Sequence, residues 1–319
     1  VTGVQTCALP IYVIGSPAQD AIVADVTGDG KPDLIAINGG QLSILPGLAV
    51  GGFGAASKIA LSGASSKLAL GRFNDDATLD IAVLLSDTEQ VEVFANSGSG
   101  NFSSIGKFAT GTAPTDLVAG DFNADRRTDF ATTNSTGNSV TLAINKGANA
   151  FNLSTLAVGA NPSAIVAADV DQNGGLDLLV SNQGSDSVTL LSNDGSGDFN
   201  KSTLASFATG SQPKALAVGD YNNDGHADVA IALSNGDTLS FYKGDGSGNF
   251  GFDVTLASQR ADDMIFADVN RDGTPDLVTV DAFTERVNVL RNDSATSLTT
   301  VTAGGSTGQF VGAAFTQNI

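Results

Sequence analysis

The chain has 319 residues, 41% of them hydrophobic, enough for a buried core, and no apolar run approaches the roughly 18 residues of a membrane span. Acidic residues number 34 against 15 basic ones, a formal net charge of −19, which argues against a nucleic-acid partner because phosphates need Lys and Arg to release their counterions. Of the acidic residues 31 are Asp, a residue of turns where Glu would favour helices. With 38 Gly and no sustained 3.6-residue apolar period, this predicts an all-β chain whose partners are cations.

The first eleven residues, VTGVQTCALPI, share nothing with the rest of the chain and carry the single Cys, Cys7. They resemble the in-frame translation of a widely used sequencing-adapter oligonucleotide, so residues 1–11 are set apart from the fold as a non-native scar. A signal-peptide remnant would need a basic start and an apolar segment, and neither is there.

From residue 12 onward one unit recurs. Its marker is a nine-residue acidic loop: DVTGDGKPD at 25–33, RFNDDATLD at 72–80, DFNADRRTD at 121–129, DVDQNGGLD at 169–177, DYNNDGHAD at 220–228 and DVNRDGTPD at 268–276. Successive starts are 47, 49, 48, 51 and 48 residues apart, and a broken seventh copy, AFTQN, begins at Ala314. A Gly precedes the loop by ten residues in five copies (Gly15, Gly111, Gly159, Gly210 and Gly304).

Within each unit an apolar strand such as ALAV (215–218) enters the loop and a second, DVAIAL (228–233), leaves it. A third, TLSFYK (238–243), comes after a polar turn, and a Gly-rich hairpin then leads into a fourth, VTLAS (254–258). The hairpin ends in an aromatic at Phe53, Phe102, Phe151, Phe199 and Phe250, predicted to pack between units. The hairpins lack a following helix, so turn chemistry explains their glycines better than a phosphate cradle.

Four strands per 40–50 residues is the blade length of a β-propeller, and the first two strands are apolar on both faces, as blades covered on both sides require. The domain expected is a single propeller over 12–319, with repeats at about 15–63, 64–111, 112–159, 160–210, 211–259 and 260–305 and a partial one at 306–319. Seven blades are expected, six complete and the seventh split between the termini with its two middle strands missing and YVI (12–14) as the end of its outer strand. A longer parent chain cut at both ends explains the shortfall equally well.

In the loops, positions 1, 3, 5 and 9 carry oxygen donors, position 6 is often Gly and position 7 varies freely, as it can if only its carbonyl is used. A hard cation taking six to eight oxygens at about 2.3–2.6 Å suits this pattern, with Gly allowing a turn at positive φ. Calcium fits best and magnesium is second choice, since it demands a tighter octahedron; zinc would call for Cys or His, and the chain has one His. An EF-hand fails, because position 12 of the sixth loop is Thr279 in place of a bidentate Glu and the flanks read as strands.

These residues resemble the FG-GAP or VCBS-type repeats, whose D-x-[DN]-x-[DN]-G-x-x-D loop lies between the first two strands of each blade of a seven-bladed propeller like that of integrin alpha subunits. The resemblance covers nearly all of 12–319 and implies calcium at three to four sites. Carried over copy by copy, the full matches are the fourth loop (Asp169, Asp171, Asn173, Asp177, with the Gly175 carbonyl), the fifth (Asp220, Asn222, Asp224, Asp228, with His226) and the sixth (Asp268, Asn270, Asp272, Asp276, with Thr274). The first (Asp25, Thr27, Asp29, Asp33, with Lys31) has a neutral hydroxyl at position 3, so weaker binding is expected. The third (Asp121, Asn123, Asp125, Asp129) has Arg126 where Gly should turn, which puts its binding in doubt. In the second, Arg72 replaces the first Asp and its guanidinium is expected to stand in for the ion, pairing with Asp76 and Asp80. His226 is read as exposed, and Tyr221 as core packing.

The resemblance further implies a non-enzymatic binding or adhesion module of a secreted or cell-surface protein, a monomeric domain within a larger chain that offers one face to a protein or glycan ligand. The rival readings are the propeller of a secreted carbohydrate-active enzyme such as a polysaccharide lyase, and a spacer. Propellers host catalysis too, but no nucleophile, base and orienter can be placed in this sequence.

Overall fold

A computed structural model describes residues 12, 14, 18–199, 204–208, 212–235, 237–257, 260–284, 286–292 and 298–301. The scar at 1–11, the partial repeat at 306–319 and the repeat glycines Gly15, Gly210 and Gly304 lie outside them. Among the described residues the chain forms 24 strands in six separate four-stranded sheets, each an antiparallel meander of consecutive strands. No described helix is long and apolar enough to cross a membrane. The fold is therefore the all-β propeller that the repeats predict, with six blades among the described residues in place of the expected seven.

The first strands of the blades run Asp20–Ala24, Ser65–Gly71, Pro114–Gly120, Pro162–Ala168, Pro213–Gly219 and Asp263–Ala267, and successive ones lie beside one another around the axis. The fourth strands face outward: Phe102–Ala109 and Phe250–Leu256 are largely exposed. Between these extremes, the second strands Asp80–Leu85, Asp129–Asn134, Asp177–Asn182 and Asp228–Leu233 are buried at every position. That accounts for their apolar character on both faces.

Five apolar clusters fill the five spaces between successive blades. In one, Ile35, Ile37 and Leu42 of the first blade meet Ile81, Val83 and Phe94 of the second; in another, Val118, Phe122 and Leu142 of the third meet Leu178, Val180 and Phe199 of the fourth. Each fully buried side chain of this size contributes roughly 1.5–3 kcal/mol, so the blades hold together through these seams. Four of the five hairpin aromatics pack between units as expected, with Phe151 meeting Phe73 of the preceding blade at 6.5 Å and Phe199 meeting Phe122 at 5.9 Å, whereas Phe53 packs against Tyr12 on the first blade. Tyr221 is buried against Phe241 and Phe266.

The repeat glycine has a packing cause. A Cβ on Gly111 would lie 2.7 Å from the Asn134 amide, and one on Gly159 would lie 2.6 Å from that of Asn182. Each Asn closes the second strand of its own blade, and Gly111 N–H donates to Asn134 Oδ1 at 3.0 Å.

Candidate metal centres

Each acidic loop joins the inner strand of a blade to the second strand, so all of them sit at the same mouth of the ring. Their conformation is imposed by carboxylates that cap backbone N–H groups. In the fourth loop, Asp169 at position 1 accepts from Asn173 N–H (3.1 Å) and Gly174 N–H (2.9 Å), while Asn173 Oδ1 accepts from Gly175 N–H (2.7 Å). The first, third, fifth and sixth loops repeat the scheme through Asp25, Asp121, Asp220 and Asp268.

This winding puts two residues at positive φ, position 4 as well as position 6. Gln172 (φ 59°), Asn223 (57°) and Arg271 (62°) take the first place, and Gly174 (90°), Gly225 (88°) and Gly273 (89°) the second. Arg126 adopts φ 70° and its N–H donates to Asp121 Oδ2 at 2.7 Å, so the third loop turns as the others do despite lacking Gly.

Position 9 does something different. Asp33, Asp80, Asp129, Asp177, Asp228 and Asp276 are all 0% exposed. In each, one oxygen accepts the N–H of position 2 and the other an N–H at the end of the third strand; for Asp177 these are Val170 (3.0 Å) and Asn193 (2.7 Å). Burial pushes Asp129 up to about 7 and Asp177 and Asp228 up to about 6. These carboxyls are short of a positive partner.

The fit to a cation can be tested on the fourth loop. One carboxylate oxygen from each of Asp169, Asp171 and Asp177 lies within 4.8 Å of the other two, the one group so gathered among the described residues. Oxygens on opposite sides of one calcium are about 4.6–5.2 Å apart, given bonds of 2.3–2.6 Å, so these three fit around a single ion. In the fifth and sixth loops, Asn222 and Asn270 at position 3 donate their amides to Asp224 (2.9 Å) and Asp272 (2.7 Å), hydrogen bonds that an ion there would have to displace. Asn123 does the same to Asp125 in the third loop. In the first, Lys31 Nζ sits 2.6 Å from Asp29 Oδ2, an ammonium already competing for the loop, and Thr27 Oγ1 lies 3.4 Å from Asp33 Oδ1. Thr274 reinforces Asp272 through its hydroxyl.

The second loop differs from expectation. Arg72 is exposed and forms no ion pair with Asp76 or Asp80 among the described residues. The reason is that both carboxylates are already engaged: Asp80 accepts from Phe73, Asn74 and Asn96 N–H, and Asp76 accepts from Thr78 and Asn74. The positive charge arrives from the neighbouring loop instead, where Arg127 Nε donates to Asp75 Oδ1 at 3.1 Å. His226 is half-buried over Gly246, where a Cβ would lie 2.4 Å from its Nδ1, so the exposed reading of this residue is corrected.

Two features escaped the sequence reading. The first is a stitch between blades: Asn96, Asn145, Asn193 and Asn292 donate Nδ2 to the position 2 carbonyls of the preceding blades, Val26, Phe73, Phe122 and Tyr221, at 2.6–3.0 Å. Each lies 16 residues after its position 9 Asp, a constant spacing that could have revealed it. The fifth blade has Gly244 at that place, and Gln172 Nε2 bridges to Gly225 O (2.7 Å) across the same seam. The second is a charged cavity of 180 Å³ at the opposite mouth, formed where the inner strands begin, with Lys67, Asp116, Lys214, Asp262 and Asp263 in its wall.

The described chain resembles several solved propellers in fold. It is similar to BBS1N in its complex with ARL6DN (15% identity, 91% of this chain and 83% of that one, TM-score 0.65) and to virginiamycin B lyase from Staphylococcus aureus (11%, 91% and 86%, 0.62). It is also similar to an Agrocybe aegerita lectin that recognises non-reducing terminal N-acetylglucosamine (15%, 90% and 80%, 0.59). No curated protein matches it in sequence. The FG-GAP-like repeat model matches four overlapping stretches, 72–132, 121–180, 169–231 and 220–279, each running from one acidic loop through the next. Since those stretches cover most of the ring and keep to its blade period, the chain belongs to the FG-GAP-like repeat family.

Proposed function

We propose that this propeller is a calcium-binding, non-enzymatic binding module of a secreted or cell-surface protein, its cations structural and its ligand a protein or glycan held on one face of the ring. The observation that carries the metal reading is the convergence of Asp169, Asp171 and Asp177 to within 4.8 Å around a loop whose backbone is already wound. The fifth and sixth loops complete the set, the first binds more weakly, and magnesium is the poorer fit. Affinities on the order of 10⁻⁴ to 10⁻³ M suit an extracellular module.

A binding face is supported at the mouth opposite the loops. Phe283 is 79% exposed there with the Arg260 guanidinium 5.2 Å over its ring, and Asp262 anchors the same turn through Ala282 N–H. An exposed aromatic beside a cation offers the stacking surface that sugar and peptide ligands use. Calorimetric titration with calcium tests the metal reading: three to four sites are expected, and the loss of one in Asp171→Ala. Heat absent from the titration at millimolar calcium overturns it. Protein and glycan arrays probed with wild type and Phe283→Ala test the face.

A further inference from the structure

We propose that Lys67 is an ionic clasp that holds the ring together from its axis, joining the sixth blade to the second and third in place of a shared sheet. Each described sheet is built from consecutive strands, so no blade combines strands from the two ends of the described chain. The link between distant blades is found on the axis. Lys67 of the second blade reaches Asp263 of the sixth at 3.2 Å, across 196 residues of sequence, and Asp116 of the third at 3.8 Å.

The carboxylates around this ammonium are themselves fixed to blades. Asp116 Oδ2 accepts Ile165 N–H of the fourth blade at 2.9 Å, and Asp20 Oδ2 of the first accepts Leu68 N–H of the second at 2.9 Å. Asp263 Oδ1 is held by Met264 N–H (2.9 Å). The position of Lys67 in its inner strand is matched by Asp20, Asp116 and Asp263 in three others and by Ala164 and Ala215 in the remaining two. One ammonium therefore serves three like-charged groups brought together by the curvature of the ring. A second pair, Lys214 with Asp262, joins the fifth blade to the sixth beside it. The polar groups of the cavity engage each other and the backbone, which suits a fastening between blades.

Removing the ammonium leaves three carboxylates facing each other across the axis, and their repulsion acts to open the ring. The test is a distance between the end blades, read by dipolar electron paramagnetic resonance from spin labels at Lys58→Cys and Arg286→Cys in a Cys7→Ser background. A second pair, Ser154→Cys and Ser196→Cys, spans the seam between the third and fourth blades as a control. The wild type is expected to give one narrow distribution for each pair. In Lys67→Met the end-blade distance should broaden and lengthen while the control stays narrow, with Lys67→Arg restoring it. The accompanying fall in melting temperature is on the order of 10 °C. Should Lys67→Met fail to fold, Asp263→Ala decides, because it removes the acceptor on the sixth blade and leaves Lys67 paired with Asp116. An unchanged end-blade distribution in a folded Lys67→Met, or in Asp263→Ala, overturns the proposal.

Discussion

The second and fourth loops hold the same place in their blades and share the buried Asp at position 9, yet only the fourth is wound into a cup. Asp169 draws the N–H groups of Asn173 and Gly174 onto its two oxygens, and both Gln172 and Gly174 turn to positive φ. Arg72 has no carboxylate to offer, and neither Asp75 nor Ala77 takes a positive φ. The blades are otherwise alike. The difference separates two tasks: position 9 ties the loop to the third strand and so holds the blade, while position 1 winds the loop into the cup that we propose takes an ion.

The largest test of that division is Asp177→Ala. It strands the buried N–H groups of Val170 and Asn193, and the expected loss is about 3 kcal/mol or more, by denaturant unfolding in chelator; because Asp177 is also one of the three gathered carboxylates, the calcium titration loses a site as well. Asp169→Ala should behave differently. It costs roughly 1–2 kcal/mol in chelator, but the calcium titration loses one site and the stabilisation by calcium shrinks. Equal losses from both variants in chelator erase the distinction.

Acidity offers a third test. Asp129 is raised to about 7 and Asp177 and Asp228 to about 6, all by burial, against an ordinary value of 3.8. A carboxyl raised on folding stabilises the folded chain below its unfolded value and loses that contribution as pH climbs through 6 to 7. In chelator, these three groups therefore favour the fold at pH 5 over pH 8. Calcium requires the ionised form, so the gap in melting temperature between calcium and chelator should widen from pH 5.5 to 8, with protons released on binding below pH 7. Calorimetry in two buffers of different ionisation enthalpy measures that release. The smallest effect is expected from Arg72→Asp, which returns a carboxylate to the second loop: stability in chelator shifts by no more than about 0.5 kcal/mol, and the titration gains one weak site.

Much of the architecture was legible in the sequence because the repeat is long and its marker is backbone chemistry. The Asp and Gly pattern identified the loops, the apolar second strands identified blades covered on both faces, and the hairpin Phe residues identified the seams. The Arg72 ion pair failed because a carboxylate in a tight turn is claimed first by its own backbone, which no side-chain pairing rule takes into account. Position 4 was overlooked for a related reason: the first loop has Gly28 there, but the third to sixth place Ala, Gln, Asn and Arg at positive φ, held by the capping aspartate. The axial lysine was invisible because it matters only once six inner strands converge. The expectation of seven blades depended on residues 306–319, whereas the described strands make six.

The asparagine that fastens the second, third, fourth and sixth blades to the ones before them grips a carbonyl, a group every amino acid supplies. Neighbouring units therefore need no matched side chains at that junction, and a copied unit arrives already able to join its parent. A chain built this way can lengthen by duplication and then diverge freely wherever its fastener does not reach.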